Sequence, residues 1–195
     1  VNLHVAGAGQ VIQFWDGADT TGNGTVDGGS GTWSSTGTNW TGAPGSAGIN
    51  GPYEKSVAVF TGTAGTVTVD GTQDFDTLQF KTDGYVVSGG TLNIAPASGT
   101  TGTINVDAGV STEIGTQIVG TGSGLEKVGA GTLTLTNATN TYTGDTILTA
   151  GTLNAKSDGS LGDLSSAIVF NGGTLQAGSD FSSTARTMTI NTGKA

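Results

Sequence analysis

Two groups of side chains could in principle support catalysis, and the sequence favours a structural role for both. His4 is the only histidine among the 195 residues, so a Ser-His-Asp triad or a histidine-based metal site is not expected. Asp70, Asp74 and Asp76 lie close together, and paired carboxylates of this kind hydrolyse glycosidic bonds in many enzymes. The nearest basic residue is Lys81. We interpret this segment as a solvated loop and predict no catalytic residue and no cofactor.

A third group has the spacing of a calcium-binding loop. Position 6 of such a loop is Gly24, but position 12, which should supply a bidentate glutamate, is Ser30, and no flanking helices are evident. We therefore predict a turn rich in Asx residues and glycine, with a calcium site centred on Asp19, Asn23 and Asp27 as the weaker alternative. The ligand positions 1, 3, 5, 7 and 9 would be Asp19, Thr21, Asn23, Thr25 and Asp27.

Composition excludes several classes of protein. The six basic residues are scattered and the net charge is -9, which disfavours nucleic-acid binding. There is no cysteine, so neither disulfides nor thiol chemistry can operate. No run of 18 apolar residues exists to insert into a membrane as a helix. With 36 glycines, only 3 prolines and 11% charged residues, the chain resembles neither a disordered segment nor collagen.

Short alternating segments indicate β-strands throughout the chain. Residues 66–69, 103–106, 132–135 and 187–190 each alternate threonine or asparagine with an apolar residue, so each strand has one buried and one wet face. Asp-Gly and Asn-Gly pairs separate the strands because these residues tolerate positive φ. No segment has a convincing helical period. The sequence therefore predicts an all-β protein with tight glycine-containing corners.

A repeated tripeptide indicates how the strands are arranged. Gly-Thr-Leu begins at Gly90, Gly131, Gly151 and Gly173, and the last three copies are 20 and 22 residues apart. Gly65-Thr66-Val67 and Gly102-Thr103-Ile104 look like divergent copies. A period near 20 predicts a β-solenoid whose successive coils stack about 4.8 Å apart. Because parallel crossovers are right-handed, we expect a right-handed parallel β-helix. The predicted inward residues are Val67, Val69, Leu92, Ile94, Ile104, Val106, Leu133, Leu135, Ile147, Leu153, Ile168, Leu175, Met188 and Ile190.

Residues 1–60 differ from the rest and are predicted to form an N-terminal cap of irregular coils, with the regular coils in residues 61–195. All three tryptophans, Trp15, Trp33 and Trp40, are in this first part. We interpret them as a core plug that covers the end of the solenoid, with an exposed aromatic platform for a sugar as the alternative. The chain starts and stops within its pattern and shows no signal peptide, so we expect a mature or trimmed fragment.

Residues 125–153 resemble the autotransporter-associated β-strand repeat. The shared pattern is Leu-x-Lys-x-Gly-x-Gly-Thr-Leu, a leucine strand, an Asn-Thr-Tyr-x-Gly corner and a second Gly-Thr-Leu. Asp145 stands where the family usually has a second glycine, and Tyr142 is expected at a corner with an exposed hydroxyl. Trp15-Asp16-Gly17 and the stretch from residue 31 to residue 40 look, more loosely, like the start of such passengers.

The resemblance implies a place and a role. Autotransporter passengers leave a Gram-negative bacterium through their own C-terminal β-barrel, fold at the cell surface and carry repeats associated with efficient export. The implied function is host interaction, as an adhesin or receptor-binding factor whose partner is a host cell-surface or matrix protein. A rigid stalk without binding activity and a glycan-active enzyme using Asp74 or Asp76 are the alternatives. Such a resemblance is an associational argument for function.

Overall fold

The computed structural model describes residues 11–42, 49–181 and 186–191, so His4 lies outside the described residues. This part of the chain contains seventeen β-strands, one 3-10 helix at Asp158–Leu161 and no α-helix. The strands are β1 (Ile12–Trp15), β2 (Gly31–Trp33), β3 (Trp40–Thr41), β4 (Val57–Phe60), β5 (Thr66–Phe75), β6 (Thr77–Phe80), β7 (Val86–Ile94), β8 (Thr101–Val106), β9 (Ser111–Ile114), β10 (Gln117–Val119), β11 (Gly124–Val128), β12 (Thr132–Leu135), β13 (Thr146–Leu148), β14 (Thr152–Ser157), β15 (Ile168–Phe170), β16 (Thr174–Asp180) and β17 (Met188–Ile190).

The strands form two long sheets that the chain visits in alternation, except that β3 and β4 both belong to one sheet and β9 and β10 both belong to the other. One sheet has the order β17-β15-β13-β11-β8-β6-β4-β1-β3, and the other has the order β16-β14-β12-β9-β7-β5-β2, with β10 paired to the second half of β7. Every pairing between these strands is parallel except β1 with β3. A chain that adds one strand to each sheet per circuit is a solenoid, so the predicted parallel β-helix is confirmed.

The 20- and 22-residue spacing corresponds to stacked coils. Thr132 pairs with Thr152, which pairs with Thr174, so Leu133, Leu153 and Leu175 lie in one column. The earlier copies of the tripeptide belong elsewhere. Leu92 pairs with Gln73 and Ile118, and Ile104 lies on the nine-stranded sheet between Leu78 and Lys127. Those copies are therefore not equivalent to the last three. The copy at Gly90 lies in the second half of β7, outside the column of Leu133, and the copy at Gly102 lies on the other sheet.

Ten of the fourteen residues predicted to point inward are buried, namely Val67, Val69, Leu92, Ile94, Ile104, Val106, Leu133, Leu135, Leu153 and Ile168. Ile147 was assigned to the wrong face, because its neighbours Thr146 and Leu148 are the buried residues of β13. Leu175 is only half-buried, although it packs against the core. Met188 and Ile190 are 52% and 72% exposed. They stack on Ile168 and Phe170, but no described strand follows β17 to cover them.

The aromatic residues of the first coils form a closed core. Trp15, Trp33 and Trp40 are at most 1% exposed, and the centroid of Trp40 lies 5.2 Å from that of Trp15 and 5.0 Å from that of Trp33. Phe60 joins them and stacks on Phe80 of the next coil at 4.7 Å. Edge-to-face and offset packing of this kind adds to the large area that each ring buries. The core-plug interpretation fits these buried indoles. An open sugar platform at the three tryptophans does not.

The aromatic core is continuous with the aliphatic one. A single cluster of buried side chains runs from Trp15 to Ile168 through both parts of the chain. Antiparallel β3 ends the nine-stranded sheet on this side, beyond β1. An antiparallel strand at the end of a parallel stack changes the hydrogen-bonding pattern there, which suits a cap. A division of the chain at residue 60 remains a prediction.

Candidate functional site

The loop that resembles a calcium site is held by its own side chains. The Asp19 carboxylate accepts hydrogen bonds from the backbone N and the hydroxyl of Thr21, both at 2.8 Å, and these bonds lower the pKa of Asp19. Asn23 donates its Nδ2 to Asp19 at 2.9 Å and to Asp27 at 3.1 Å. The backbone N of Thr25 donates to the Asn23 Oδ1 at 2.8 Å. An amide nitrogen thus lies between the two carboxylates, which favours the turn interpretation.

Two buried polar residues anchor this loop to the aromatic core. Asp16 is 1% exposed, and its carboxylate accepts from the backbone N of Asp27 at 2.7 Å and from Asn50 at 2.8 Å. Asn39 donates to the carbonyls of Gly17 at 2.7 Å and Thr32 at 3.1 Å. The sequence contained a signal for both, since they stand beside Trp15 and Trp40, but their role as anchors needed the fold. Within the described ranges, no three His, Asp or Glu side chains are placed to hold a metal ion.

The carboxylates near residue 74 participate in structural contacts. Asp74 accepts a hydrogen bond from Asn93 at 2.8 Å and forms an ion pair with Lys55 at 2.9 Å. The bond from Asn93, together with Lys55, lowers the pKa of Asp74. Asp76 is 7% exposed, and Lys81 pairs with Asp107 instead of this group. Glycoside hydrolysis needs a protonated acid with a raised pKa beside an ionised partner, and Asp74 has the opposite shift.

Lys127 is a buried cation on the inner face of β11. It is 1% exposed and lies in a column between Ile104 and Leu148. Its Nζ donates to the carbonyls of Val128 at 2.7 Å, Gly129 at 2.8 Å and Ala150 at 3.2 Å. No described acidic side chain lies within ion-pair distance of it. Burial lowers the pKa of Lys127 to about 8, because desolvation disfavours the charged form.

Inside the β-helix, the side-chain amide of Asn140 makes hydrogen bonds to the backbone that a strand would otherwise make. It is 4% exposed, and its Oδ1 accepts from the backbone N of Ile118 at 2.8 Å. Its Nδ2 donates to the carbonyl of Ser160 at 2.8 Å. Ile118 belongs to the coil before and Ser160 to the coil after, so one side chain connects three successive coils. Both of its polar groups are satisfied, as burial requires.

Tyr142 lies inside the helix, so the expected exposed hydroxyl is wrong. The ring is fully buried, and its hydroxyl lies 2.7 Å from the hydroxyl of Thr146. Thr146 donates its single proton to the carbonyl of Leu161 at 3.3 Å, so Tyr142 is the donor of the first bond. Burial raises the pKa of Tyr142 above the usual value for tyrosine. A tyrosine at a corner is buried when a neighbouring coil covers its hydroxyl. The local sequence around the tyrosine does not show whether such a coil lies over it.

Arg186 joins the last described coils. Its side chain is fully buried; its Nε pairs with Asp158 at 2.8 Å, and its Nη2 donates to the carbonyl of Gly162 at 2.7 Å. Nη1 donates to the carbonyls of Leu161, Asp163 and Ser166. A planar guanidinium with five donors can satisfy this many acceptors at once. Sequence reasoning treated Arg186 only as one of six scattered charges.

Buried polar side chains such as Asn140 and Arg186 thus bind neighbouring coils to one another. None of the helices in the described segments is long and apolar enough to cross a membrane. Lys127, Asn140 and Tyr142 all belong to residues 125–153, the segment whose sequence resembles the autotransporter-associated repeat. The role of these three side chains therefore belongs to the coil that this segment forms.

Comparisons with known proteins identify that coil. The passenger-associated transport repeat matches residues 125–155. The adhesin BmaC autotransporter of Brucella suis biovar 1 (strain 1330) is 40% identical over 199 residues, which cover 92% of this chain and 6% of the relative. The chain thus spans a small fraction of the length of that protein. No solved structure matches the chain significantly.

The repeat and the relative agree with the fold. Autotransporter passengers are displayed on the surface of Gram-negative bacteria or secreted from them, which agrees with the location inferred from the sequence. A chain without cysteine that is held together by a hydrogen-bonded stack fits that route. This chain is a segment of an autotransporter passenger domain, folded as a parallel β-helix and containing a passenger-associated transport repeat.

Proposed function

We propose that this segment takes part in adhesion to host cells, with a host cell-surface or matrix protein as its partner. The observation that carries the proposal is the 40% identity, over 92% of the chain, to a protein named an adhesin. The architecture is compatible with such a role. A solenoid offers long outer faces and corner loops, and binding can be distributed over several coils.

The outer faces contain polar side chains that make no hydrogen bonds to other residues in the described part of the chain. Thr132, Thr152 and Thr174 form a column on the outer face of the eight-stranded sheet, next to Thr134 and Asn154. Their side chains make no hydrogen bond to described residues, in contrast to buried side chains such as Lys127, Asn140 and Arg186. Protein interfaces take about one hydrogen bond per 100–200 Å², so such a face can contribute to a polar interface.

The experiment is binding of the purified chain to host cells and to immobilised matrix proteins. We expect saturable binding that is lost when Thr132, Thr152 and Thr174 are changed together. Binding should be kept when Lys156 alone, which is exposed on β14 but lies outside this column, becomes Met. Outer-face variants at Thr132, Thr152 and Thr174 should keep the wild-type unfolding midpoint, which separates lost binding from lost folding. No binding at micromolar concentration would support the alternative, a rigid stalk.

The glycan-active alternative makes a separate prediction. If the chain cleaved polysaccharide, Asp74→Asn and Asp76→Asn would abolish turnover. We expect no turnover by the wild-type chain on a panel of polysaccharides, because Asp74 is ion-paired and has a lowered pKa. Release of reducing sugar that depends on either residue would restore the enzyme hypothesis.

A further inference from the structure

Three buried polar side chains of one coil all reach the coil that follows it. We call residues 124–145 the lower coil and residues 146–167 the upper coil. Lys127 donates to the carbonyl of Ala150, and Asn140 donates to the carbonyl of Ser160. Tyr142 donates to Thr146, which in turn donates to the carbonyl of Leu161. These contacts involve residues 146–150 and residues 160–161, so they fix the upper coil at two places in its circuit.

The apolar columns do not fix this position to the same degree. Leu133 lies under Leu153, which lies under Leu175, so successive coils present the same side chain at the same place. An aliphatic core tolerates exchange of similar residues, because its stability depends more on the total volume of the side chains than on their identity. A shift of two residues keeps the inward face apolar, because side chains alternate along a strand. Burial of leucine and isoleucine alone therefore discriminates weakly between alternative registers.

Buried polar groups discriminate strongly between alternative stacking registers. A donor that loses its acceptor inside the core is costly, whereas the same group correctly paired contributes only modestly to stability. A buried asparagine in a coiled coil sets register in this way, at a cost in stability. Asn140 is 4% exposed with both polar groups bonded. Lys127 is 1% exposed with three acceptors, and no carboxylate of the described residues lies within ion-pair distance of it.

The shape of the backbone reinforces the same contacts. Gly162 packs against the ring and carbonyl of Tyr142 with a φ of +76°, and a Cβ at this position would overlap both. The upper coil thus fits over Tyr142 when a glycine arrives at that point, as Gly162 does. Apart from Gly159, every other residue of the 158–167 turn would bring a side chain there.

We propose that Lys127, Asn140 and Tyr142 make the lower coil a polar template that sets the register in which the upper coil stacks. These residues act mainly on the choice between stacking registers and less on the overall free energy of unfolding. The transport repeat is then the point in the passenger where coil addition is checked. This role does not depend on host binding and can fail or hold without it.

The test is refolding of the full chain followed by hydrogen exchange read out by mass spectrometry. The template variant is K127M/N140L/Y142F, which keeps the side chains similar in size and removes their donors. The matched control is N154L/K156M, which makes two of the same substitutions at side chains that lack described hydrogen bonds on β14. Urea unfolding midpoints are measured for all three proteins.

If the proposal is correct, protection from hydrogen exchange should be lost in the upper coil and kept in the coils before the lower coil. After refolding, the template variant should show two isotopic populations in peptides covering residues 146–157, one of them unprotected. Peptides covering β7 and β8 should keep a single protected population. The control should match the wild-type chain in both regions. Y142F alone should show a smaller second population in the same peptides.

Two results would overturn the proposal. One is a template variant that refolds to a single population at the wild-type rate, whether or not its urea midpoint has fallen; the three residues would then only add stability. The other is an equal loss of protection on both sides of the lower coil. If the triple variant does not fold at all, K127M and Y142F are judged separately by the same criteria.

Discussion

Lys127 is the residue at which burial and charge oppose each other most directly. Its Nζ is surrounded by three carbonyls, yet its pKa falls to about 8 from 10.5 because the group is desolvated. In the unfolded chain the pKa returns to the ordinary value. Between about pH 8 and pH 10.5 the unfolded state therefore binds a proton that the folded state has released, and stability rises with pH in that window.

The prediction is a difference between wild type and K127M. The unfolding free energy of wild type should increase relative to K127M by on the order of 1 kcal/mol per pH unit above pH 8, with no relative change below it. Urea denaturation from pH 6 to pH 10 measures this, and K156M serves as the exposed control. Parallel curves for wild type and K127M would show that Lys127 does not titrate in this range.

A pair of glycines tests how closely the corners are packed. Gly129 and Gly109 have φ values of +75° and +77°, so alanine is strained at both by about 1 kcal/mol. A Cβ on Gly129 would also overlap the carbonyl of Val106, whereas nothing lies within 4 Å of a Cβ on Gly109. We expect G109A to lose about 1 kcal/mol and G129A several times as much in urea unfolding. Equal losses would mean that the coils are less tightly apposed than described.

The aromatic cluster dominates at the scale of structural elements. Trp33 is fully buried between Trp40, Tyr53 and Phe60, so Trp33→Ala should cost about 3–5 kcal/mol. Ile49 is 83% exposed, and Ile49→Ala should change stability by less than about 0.5 kcal/mol. Tryptophan fluorescence during urea unfolding measures both. A small effect of W33A would remove the core-plug interpretation.

Strand positions and the coil period were predictable because they depend on local alternation and on identical spacing. Leu133, Leu153 and Ile168 follow directly from that pattern. Ile147 did not, because Thr146-Ile147-Leu148 reads equally well in two phases. In the observed phase Leu148 is buried in the core and Thr146 donates to the carbonyl of Leu161. Met188 and Ile190 share the phase of Ile168 and Phe170, but no strand in the described ranges covers them. Alternation along a strand indicates which residues share a face, but it does not show whether another strand covers that face.

The candidate site was less predictable than the fold. Lys127, Asn140 and Tyr142 were visible only as letters of a repeat, and their burial depends on residues about 20 positions away in the neighbouring coils. Arg186 is bonded to a turn more than 20 positions earlier, which no local pattern reveals. The acidic groups at Asp19 and Asp74 were visible at once, and they turned out to be engaged in hydrogen bonds and an ion pair.

At the scale of the whole molecule, one stacking rule explains most of the structure. Each circuit adds a strand to both sheets, so backbone hydrogen bonds are satisfied between coils and no disulfide is needed. Among the described residues, the charged side chains of Asp16, Asp76, Lys127 and Arg186 are buried, and Lys127 and Arg186 donate hydrogen bonds to neighbouring coils. Each coil thus depends on the coils on either side of it.

Cysteine cross-linking tests this stacking most directly, since the chain has no native cysteine. Thr134 pairs with Asn154, and Asn154 pairs with Gln176, all on the outer face of one sheet. Adjacent coils place paired Cα atoms about 4.8 Å apart and coils two steps apart about 9.6 Å, whereas a disulfide spans roughly 4.4–6.8 Å. T134C/N154C should therefore oxidise to an intramolecular disulfide and T134C/Q176C should not. Efficient bridging of the second pair with none of the first would contradict a parallel β-helix in this register.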